Sequence, residues 1–298
     1  MAKFTPAAHL ICPLDQQPLA LDGGSLKCLG GHSFDIAKQG YVNLLPVQKK
    51  KSKDPGDSKE MIQARQRFLQ AGLYQPISDQ LNQLVSQQLD ASGNKSVTIL
   101  DAGCGEGYYL SRLATENKLI EKTQVDQKKV ELLGVDISKW GVQAATKYQL
   151  PITWIVGTNA QLPVEPGSVD LIICMFGFWQ PEWFARVLKP GGKVILAESG
   201  VDHLVELREI IYKEVHRKNI PELKGIAEEG FKLIDQQQLE FRPATLNKEQ
   251  VQDLLVMTPH LYRASYEGKQ SAQQLEKLDL TAQVVFRVLE FNPQPDNV

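Results

Sequence analysis

Two stretches of this chain carry residue types that do chemistry, at spacings that chemistry needs. One reads Asp101-Ala-Gly103-Cys104-Gly105-Glu106-Gly107 and follows a short apolar run through Val97, Ile99 and Leu100. Alternate glycines let the backbone pass close beneath a ligand, and a helix opening at Tyr108 presents unpaired N–H groups. Strand, glycine loop and helix together make the first βα unit of a Rossmann-like sheet. The spacing is G-x-G-x-G, and Tyr109 takes a position that ill suits NAD. The loop alone therefore leaves its ligand open, down to a tight turn that holds none.

The other stretch lies near the start. Cys12 and a Cys28-x3-His32 knuckle flank a polar hairpin whose turn signal is Asp22-Gly23-Gly24. So short a segment cannot build a core, and a structural metal would explain how it folds. Tetrahedral zinc takes four thiolate, imidazole or carboxylate ligands, and Cys12, Cys28 and His32 are plain candidates. Asp15 stands where a C-x2-C pair would be completed, and His9 is the alternative fourth ligand. A degenerate ribbon that folds by packing, without metal, stays open beside both. Cys104 and Cys174, in a glycine loop and an apolar run, read as small buried residues.

These residues need elements to position them. Asp57 or Ser58 can cap a helix through Leu69, with Gly72 beyond its end, and at least one of Arg65 and Arg67, on different faces of it, could reach a phosphate. A second helix starts at Tyr74-Gln-Pro76 and buries Ile77, Leu81, Leu84, Val85 and Leu89. After the glycine loop, Lys129 to Asp136 reads as a strand whose terminal carboxylate can bind the hydroxyls of a ribose. The polar insert 117–127 explains its distance from the loop. Ser138 caps the next helix. A strand at 152–156 leads to Asn159-Ala-Gln-Leu162-Pro163, suited to contact an adenine. Further strands follow at 169–174 and 193–196, with a helix between them ending at Lys189-Pro-Gly-Gly192.

With 298 residues, 42% hydrophobic and 23% charged, the chain has the makings of a globular core. Nothing approaches 18 consecutive apolar residues, which excludes a membrane-spanning helix. The first residues lack a signal-peptide apolar region, so a cytoplasmic protein is expected. The net charge of −2 conceals a basic front: residues 1–75 carry +4 and the remainder −6. A lysine run at 49–53 reads as a solvated linker or a contact for polyanions.

DAGCGEG, GVDIS, NAQLP, VDLIIC and ARVLKPGGKVIL, in that order, resemble class I S-adenosylmethionine-dependent methyltransferases. The resemblance implies an α/β fold: a seven-stranded Rossmann-like sheet with its last strands antiparallel, here joined to a small N-terminal zinc-ribbon-like module. The ribbon, QGYVNLLPVQ (39–48), DPGDS (54–58), AGLYQP (71–76), HLVEL (203–207) and MTP (257–259) narrow the match. They resemble the bacterial 23S ribosomal RNA guanine-N1-methyltransferases over nearly the whole chain.

That resemblance implies three parts: a zinc-ribbon-like RNA-recognition module over 1–46, a basic linker and connecting helix over 47–76, and a methyltransferase domain over 77–298. It implies zinc on Cys12, Asp15, Cys28 and His32, and S-adenosylmethionine on Gly105, Glu106, Tyr74 and His203. Asp101, Gly103, Gly107, Asp136 and Asn159 belong to the same expected pocket. The implied reaction moves a methyl group to N1 of a guanine in a 23S rRNA hairpin, and the implied assembly is a homodimer. Glu106 and Glu198 are candidate proton acceptors, and Phe176, Phe178 and Trp179 candidate stacking partners for the base. The chain departs from the family at Asp15, where a cysteine is usual, and at Met175-Phe-Gly-Phe-Trp-Gln-Pro181, where the family tends to read I-Y-A-P. A small-molecule methyltransferase, or a non-catalytic RNA-binding protein on the same fold, are the alternatives.

Overall fold

The computed structural model describes the chain except residues 1–3, 50, 51, 53, 93–95, 118, 120–128, 216, 218, 219, 221, 259–263 and 294–298. Most of the lysine run and the 117–127 insert, and the last residue of MTP, lie outside the described residues.

The N-terminal segment forms a three-stranded antiparallel sheet of β1 (Ala20–Asp22), β2 (Ser25–Lys27) and β3 (Ser33–Asp35). Gly23, at φ 60°, turns the first hairpin. β4 (Tyr41–Asn43) then leaves the ribbon and pairs in parallel with a strand more than a hundred residues on. Helix α1 (Lys59–Gln70) starts at Ser58, whose hydroxyl accepts from the Met61 N–H at 3.2 Å. It ends before Gly72, which adopts φ 78°. Both ends follow from residue type: a short oxygen-bearing side chain satisfies an orphan donor, and glycine takes the left-handed turn at no steric cost. Helix α2 (Gln75–Ser92) carries the apolar stripe toward the sheet.

The body alternates strands and helices: β5 (Ser96–Ala102), α3 (Tyr108–Glu116), β6 (Lys129–Asp136), α4 (Lys139–Ala145), β7 (Thr153–Val156), β8 (Val169–Met175), α5 (Pro181–Val187) and β9 (Leu188–Ser199). It closes with α6 (Val205–Ile211), β10 (Phe231–Phe241), β11 (Leu246–Asn247), α7 (Lys248–Met257), α8 (Tyr266–Gln273), β12 (Lys277–Leu278) and β13 (Ala282–Phe291). The sheet order is β10-β13-β9-β8-β5-β6-β7-β4, with β13 antiparallel to both its neighbours. The sheet therefore has eight strands where seven were expected, because β4 extends it beyond β7.

β5 is buried on both faces. Ile99 packs into one apolar cluster with the α2 stripe, while Leu100 joins Leu133, Ile172 and Leu196 in another. Helices or the ribbon must cover both faces of such a sheet. The ribbon covers one: Leu10 bridges to Val164, the Ile11 N–H donates to the Pro163 carbonyl at 3.1 Å, and Leu26 is buried in the Leu100 cluster. Among the described residues, no helix is long and apolar enough to cross a membrane.

Candidate functional site

The glycine loop leaves the C-terminal end of β5, between β6 and β8, where the direction of strand succession reverses. Such switch points open a crevice at the carboxyl ends of the strands. The N–H groups of Gly103 and Cys104 donate to the Val135 carbonyl at 2.8 and 3.1 Å. The Gly105 N–H donates to Asp136 Oδ2 at 2.9 Å, and the Ser138 N–H to Asp136 Oδ1 at 2.7 Å. Asp136 thus fixes the loop and the α4 entry together. At Gly107 (φ 79°) a Cβ would lie 2.7 Å from both Ala145 and Trp154, so only glycine fits. At Gly103 (φ 93°) the nearest groups to a Cβ are the Asn159 amide at 3.7 Å and the Gly177 Cα at 3.9 Å. The loop, Asn159 and the turn after β8 therefore border one opening.

Aromatic rings form its wall. Tyr74 at the start of α2 lies 5.9 Å from His203, His203 lies 6.2 Å from Phe176, and Phe176 lies 6.5 Å from Tyr109 (ring centroids). Phe176 holds φ at 55°, a costly conformation for a side chain of this size. His203 Nδ1 accepts the Gln283 backbone N–H at 3.2 Å, so the ring hydrogen sits on Nε2 and donates to Tyr74 Oη at 3.3 Å. Burial pushes the Tyr74 phenol well up, which keeps it neutral.

The pocket is acidic. Glu106 is 2% exposed, and burial pushes its carboxyl up to about 7 against the pull of Arg65, whose Nη1 lies 3.9 Å away. Burial also raises Asp101 and Asp136. Asp101 Oδ1 is buried and has no hydrogen-bond partner among the described residues. Three carboxyl groups around a glycine-only backbone, one of them with an oxygen left without a partner among the described residues, fit a polar nucleoside such as S-adenosylmethionine. Cys104 and Cys174 are buried, their thiols pushed up by burial, and neither is a nucleophile.

The ribbon brings a second set of groups together. One ligand atom each from Cys12, Asp15, Cys28 and His32 lies within 4.8 Å of the others. His32 Nδ1 is 3.0 Å from Asp15 Oδ2, 3.5 Å from Cys12 Sγ and 3.4 Å from Cys28 Sγ. Two sulfurs, a nitrogen and an oxygen at these spacings fit the corners of a tetrahedral zinc site. Gly30 makes room for the carboxylate: a Cβ there would meet Asp15 Oδ2 at 2.0 Å. His9 is not part of this group, because its Nδ1 pairs with Glu165 Oε2 at 3.0 Å.

Several expectations need correction. Both arginines of α1 are engaged by carboxylates: Arg65 pairs with Asp57 at 2.6 Å, and Arg67, still 62% exposed, donates through Nε to Asp253 Oδ2 at 3.0 Å. Glu198 is tied to Arg287 Nη1 at 2.8 Å across the sheet, which leaves it poorly placed to receive a proton. Trp179 packs edge-on against Phe184 and Phe231 and donates its indole N–H to the Lys224 carbonyl at 2.7 Å. Of the three aromatics after β8, Phe178 alone is widely exposed, at 83%. Sequence reasoning missed Tyr109 as a wall and Arg65 as a neighbour of the loop. Periodicity could have flagged Tyr109, one position into α3; nothing local links Arg65 to Glu106.

Residues 10–53 match the domain family described as "RlmA, N-terminal", and residues 99–192 match "Methyltransferase domain". A Micromonospora griseorubida protein named as a 23S rRNA (guanine-N(1)-)-methyltransferase is 33% identical over 67% of this chain and 68% of its own length. The Streptomyces fradiae 23S rRNA (guanine(748)-N(1))-methyltransferase is 30% identical over 67% of this chain and 66% of its own. Bacillus subtilis YxjB, whose name reads "Putative 23S rRNA (guanine-N(1)-)-methyltransferase", is 29% identical over 92% of this chain and 94% of its own length.

Proposed function

The chain belongs to the 23S rRNA (guanine-N(1)-)-methyltransferase family, and from that premise we propose that it transfers the methyl group of S-adenosylmethionine to N1 of a guanine in a 23S rRNA hairpin. The observation that carries the reading is the pairing of β4 with β7: the ribbon is joined to the sheet beside the cofactor opening. On this reading residues 1–46 recognise RNA, 47–76 link, and 77–298 hold the cofactor. The enzyme works in the cytoplasm, and the family resemblance supports a homodimer.

Bound S-adenosylmethionine supplies the electrophilic sulfonium methyl. Asp136, whose carboxylate is already held by Gly105 and Ser138, would take the ribose hydroxyls on its remaining lone pairs. Gly103 and Gly105 would leave room beside the backbone, Gly107 packs the loop on Ala145 and Trp154, Asn159 would take the adenine, and Asp101 and Glu106 would lie nearest the cofactor's charge. Tyr74 and His203 close the side opposite the loop, each fixing the other through their hydrogen bond. Cys12, Asp15, Cys28 and His32 would hold a structural zinc.

The proton on guanine N1 must leave as the new N–C bond forms. His203 is no acceptor, since Nε2 already carries hydrogen and Nδ1 is engaged by a backbone donor. Glu198 is committed to Arg287. With Glu106 set beside the cofactor's charge, catalysis rests on positioning, with the proton passing to water and Phe178 offering its exposed ring to the unstacked base. Primer extension across 23S rRNA tests this. Cells that carry the protein should give a stop at one guanine, because a methyl at N1 blocks pairing. Deletion should remove the stop, and an unchanged pattern would refute the assignment.

A further inference from the structure

Arg65 sits where three parts of the chain meet, and no role in the reaction has been given to it. Its Nη2 lies 2.6 Å from Asp57 Oδ2 in the linker and 3.3 Å from the Met257 carbonyl at the end of α7. Its Nη1 lies 3.9 Å from Glu106 Oε2, and a Cβ on Gly105 would stand 3.5 Å from that nitrogen. The linker is itself seated against the ribose side of the pocket. The Ser138 hydroxyl donates to the Asp57 carbonyl at 2.7 Å, and a Cβ at Gly56 would come within 2.8 Å of Ile137. Asp57, Arg65 and Glu106 thus form a chain of charges from linker to glycine loop.

We propose that Arg65 is a positioning residue for the cofactor loop: its guanidinium sets a positive charge beside the Glu106 carboxyl and ties the loop to the linker through Asp57, so that S-adenosylmethionine binds well only when the linker is seated. The inference rests on the cofactor reading above. Among the described residues, the groups acting on Glu106, or feeling its charge, are Asp57, Arg65, Asp136, Asp101, Cys104, Tyr108, Tyr109 and Tyr148. Arg65 is the one cation among them. Without it the remaining acids and the buried position all favour the neutral carboxyl, and the pocket loses charge complementary to the sulfonium.

The test is equilibrium binding of S-adenosylmethionine to the full chain without RNA, followed from about pH 5.5 to about pH 8.5, with a 13C-carboxyl NMR titration of Glu106 in the free protein. In the wild type, affinity should fall as pH drops through the Glu106 midpoint. Arg65→Met should raise that midpoint by about one pH unit or more and weaken binding on the order of tenfold at neutral pH. Arg65→Lys should recover most of the loss, and Asp57→Asn should fall between. If Arg65→Met does not fold, the last two variants carry the same comparison. A loss of affinity equal at every pH, with the Glu106 midpoint unmoved, would overturn the proposal. So would a Glu106→Gln protein that keeps the wild-type profile. No binding by the wild type would overturn the cofactor reading as well. The expected profile without rRNA methylation would count against the substrate alone and still uphold the role of Arg65.

Discussion

The ribbon and the glycine loop are held in place by opposite means. β1 is exposed along its length and β3 is at most half-buried, so the ribbon's order converges on four ligand atoms and a few apolar side chains such as Leu19 and Leu26. The loop hangs from β5 and β6, whose inner residues are wholly buried, and its own contacts are backbone hydrogen bonds and tight glycine packing. The ribbon adds four converging ligand atoms to its packing on the sheet; the loop takes its place from the core alone. The contrast suits the tasks proposed for them, since a module that reads RNA can lie at the surface, whereas a methyl-transfer pocket needs positions held by a rigid sheet.

The largest expected effect separates the two regions. A structural zinc is worth on the order of 10 kcal/mol to a small metal-dependent fold. Chelation, or Cys28→Ser, should release the metal and abolish rRNA methylation. S-adenosylmethionine affinity should stay within about threefold, because the pocket does not lean on the ribbon's ligands. Metal analysis and calorimetric titration would check both halves. Gly107→Val makes the reverse cut. Left-handed strain and the clash with Ala145 and Trp154 should cost about 2–5 kcal/mol, lowering Tm and removing cofactor binding while the zinc content holds.

Acid should also move the two regions in opposite directions. Burial raises the Glu106 carboxyl from its usual 4.5 to about 7. Its contribution to stability is therefore complete below about pH 4.5 and lost as pH rises through about 7, a change of about 3 kcal/mol. Asp101 and Asp136 act in the same direction. The ribbon instead loosens in acid, because its thiolates and imidazole must be unprotonated to hold zinc. Thermal melts of the cofactor-free protein across this range, beside Glu106→Gln, should show the slope flattened in the variant.

The choice between Asp15 and His9 shows why part of the site was not legible in the sequence. Cys12, Cys28 and His32 declare themselves by type and short spacing. Asp15 was selected by Gly30, which leaves it space, and His9 was removed by Glu165, 156 residues away. The caps at Ser58 and Ser138 and the glycine turns were readable because the forces that set them act within a few residues. The pairing of β4 with β7, and the meeting of Arg65 with Glu106, depend on how distant segments pack. Local pattern carries no trace of them.

Two smaller effects sharpen the ribbon's account. Asp15→Cys should raise zinc affinity on the order of tenfold, about 1.4 kcal/mol, by restoring a thiolate; competition with a chromophoric chelator would read it. His9→Ala removes a half-exposed pair with Glu165 and should cost less than about 1 kcal/mol, with zinc affinity unchanged. A drop in zinc affinity there would return His9 to the ligand set.

The central claim concerns the reaction. Purified protein should be incubated with S-adenosylmethionine and unmodified 23S rRNA transcript, and the digested nucleosides identified by mass spectrometry. The account predicts 1-methylguanosine as the product, formed at one site and absent when Gly107→Val or metal-stripped protein is used. A methyl group on any other atom, or transfer to small molecules with none to the rRNA, would contradict it.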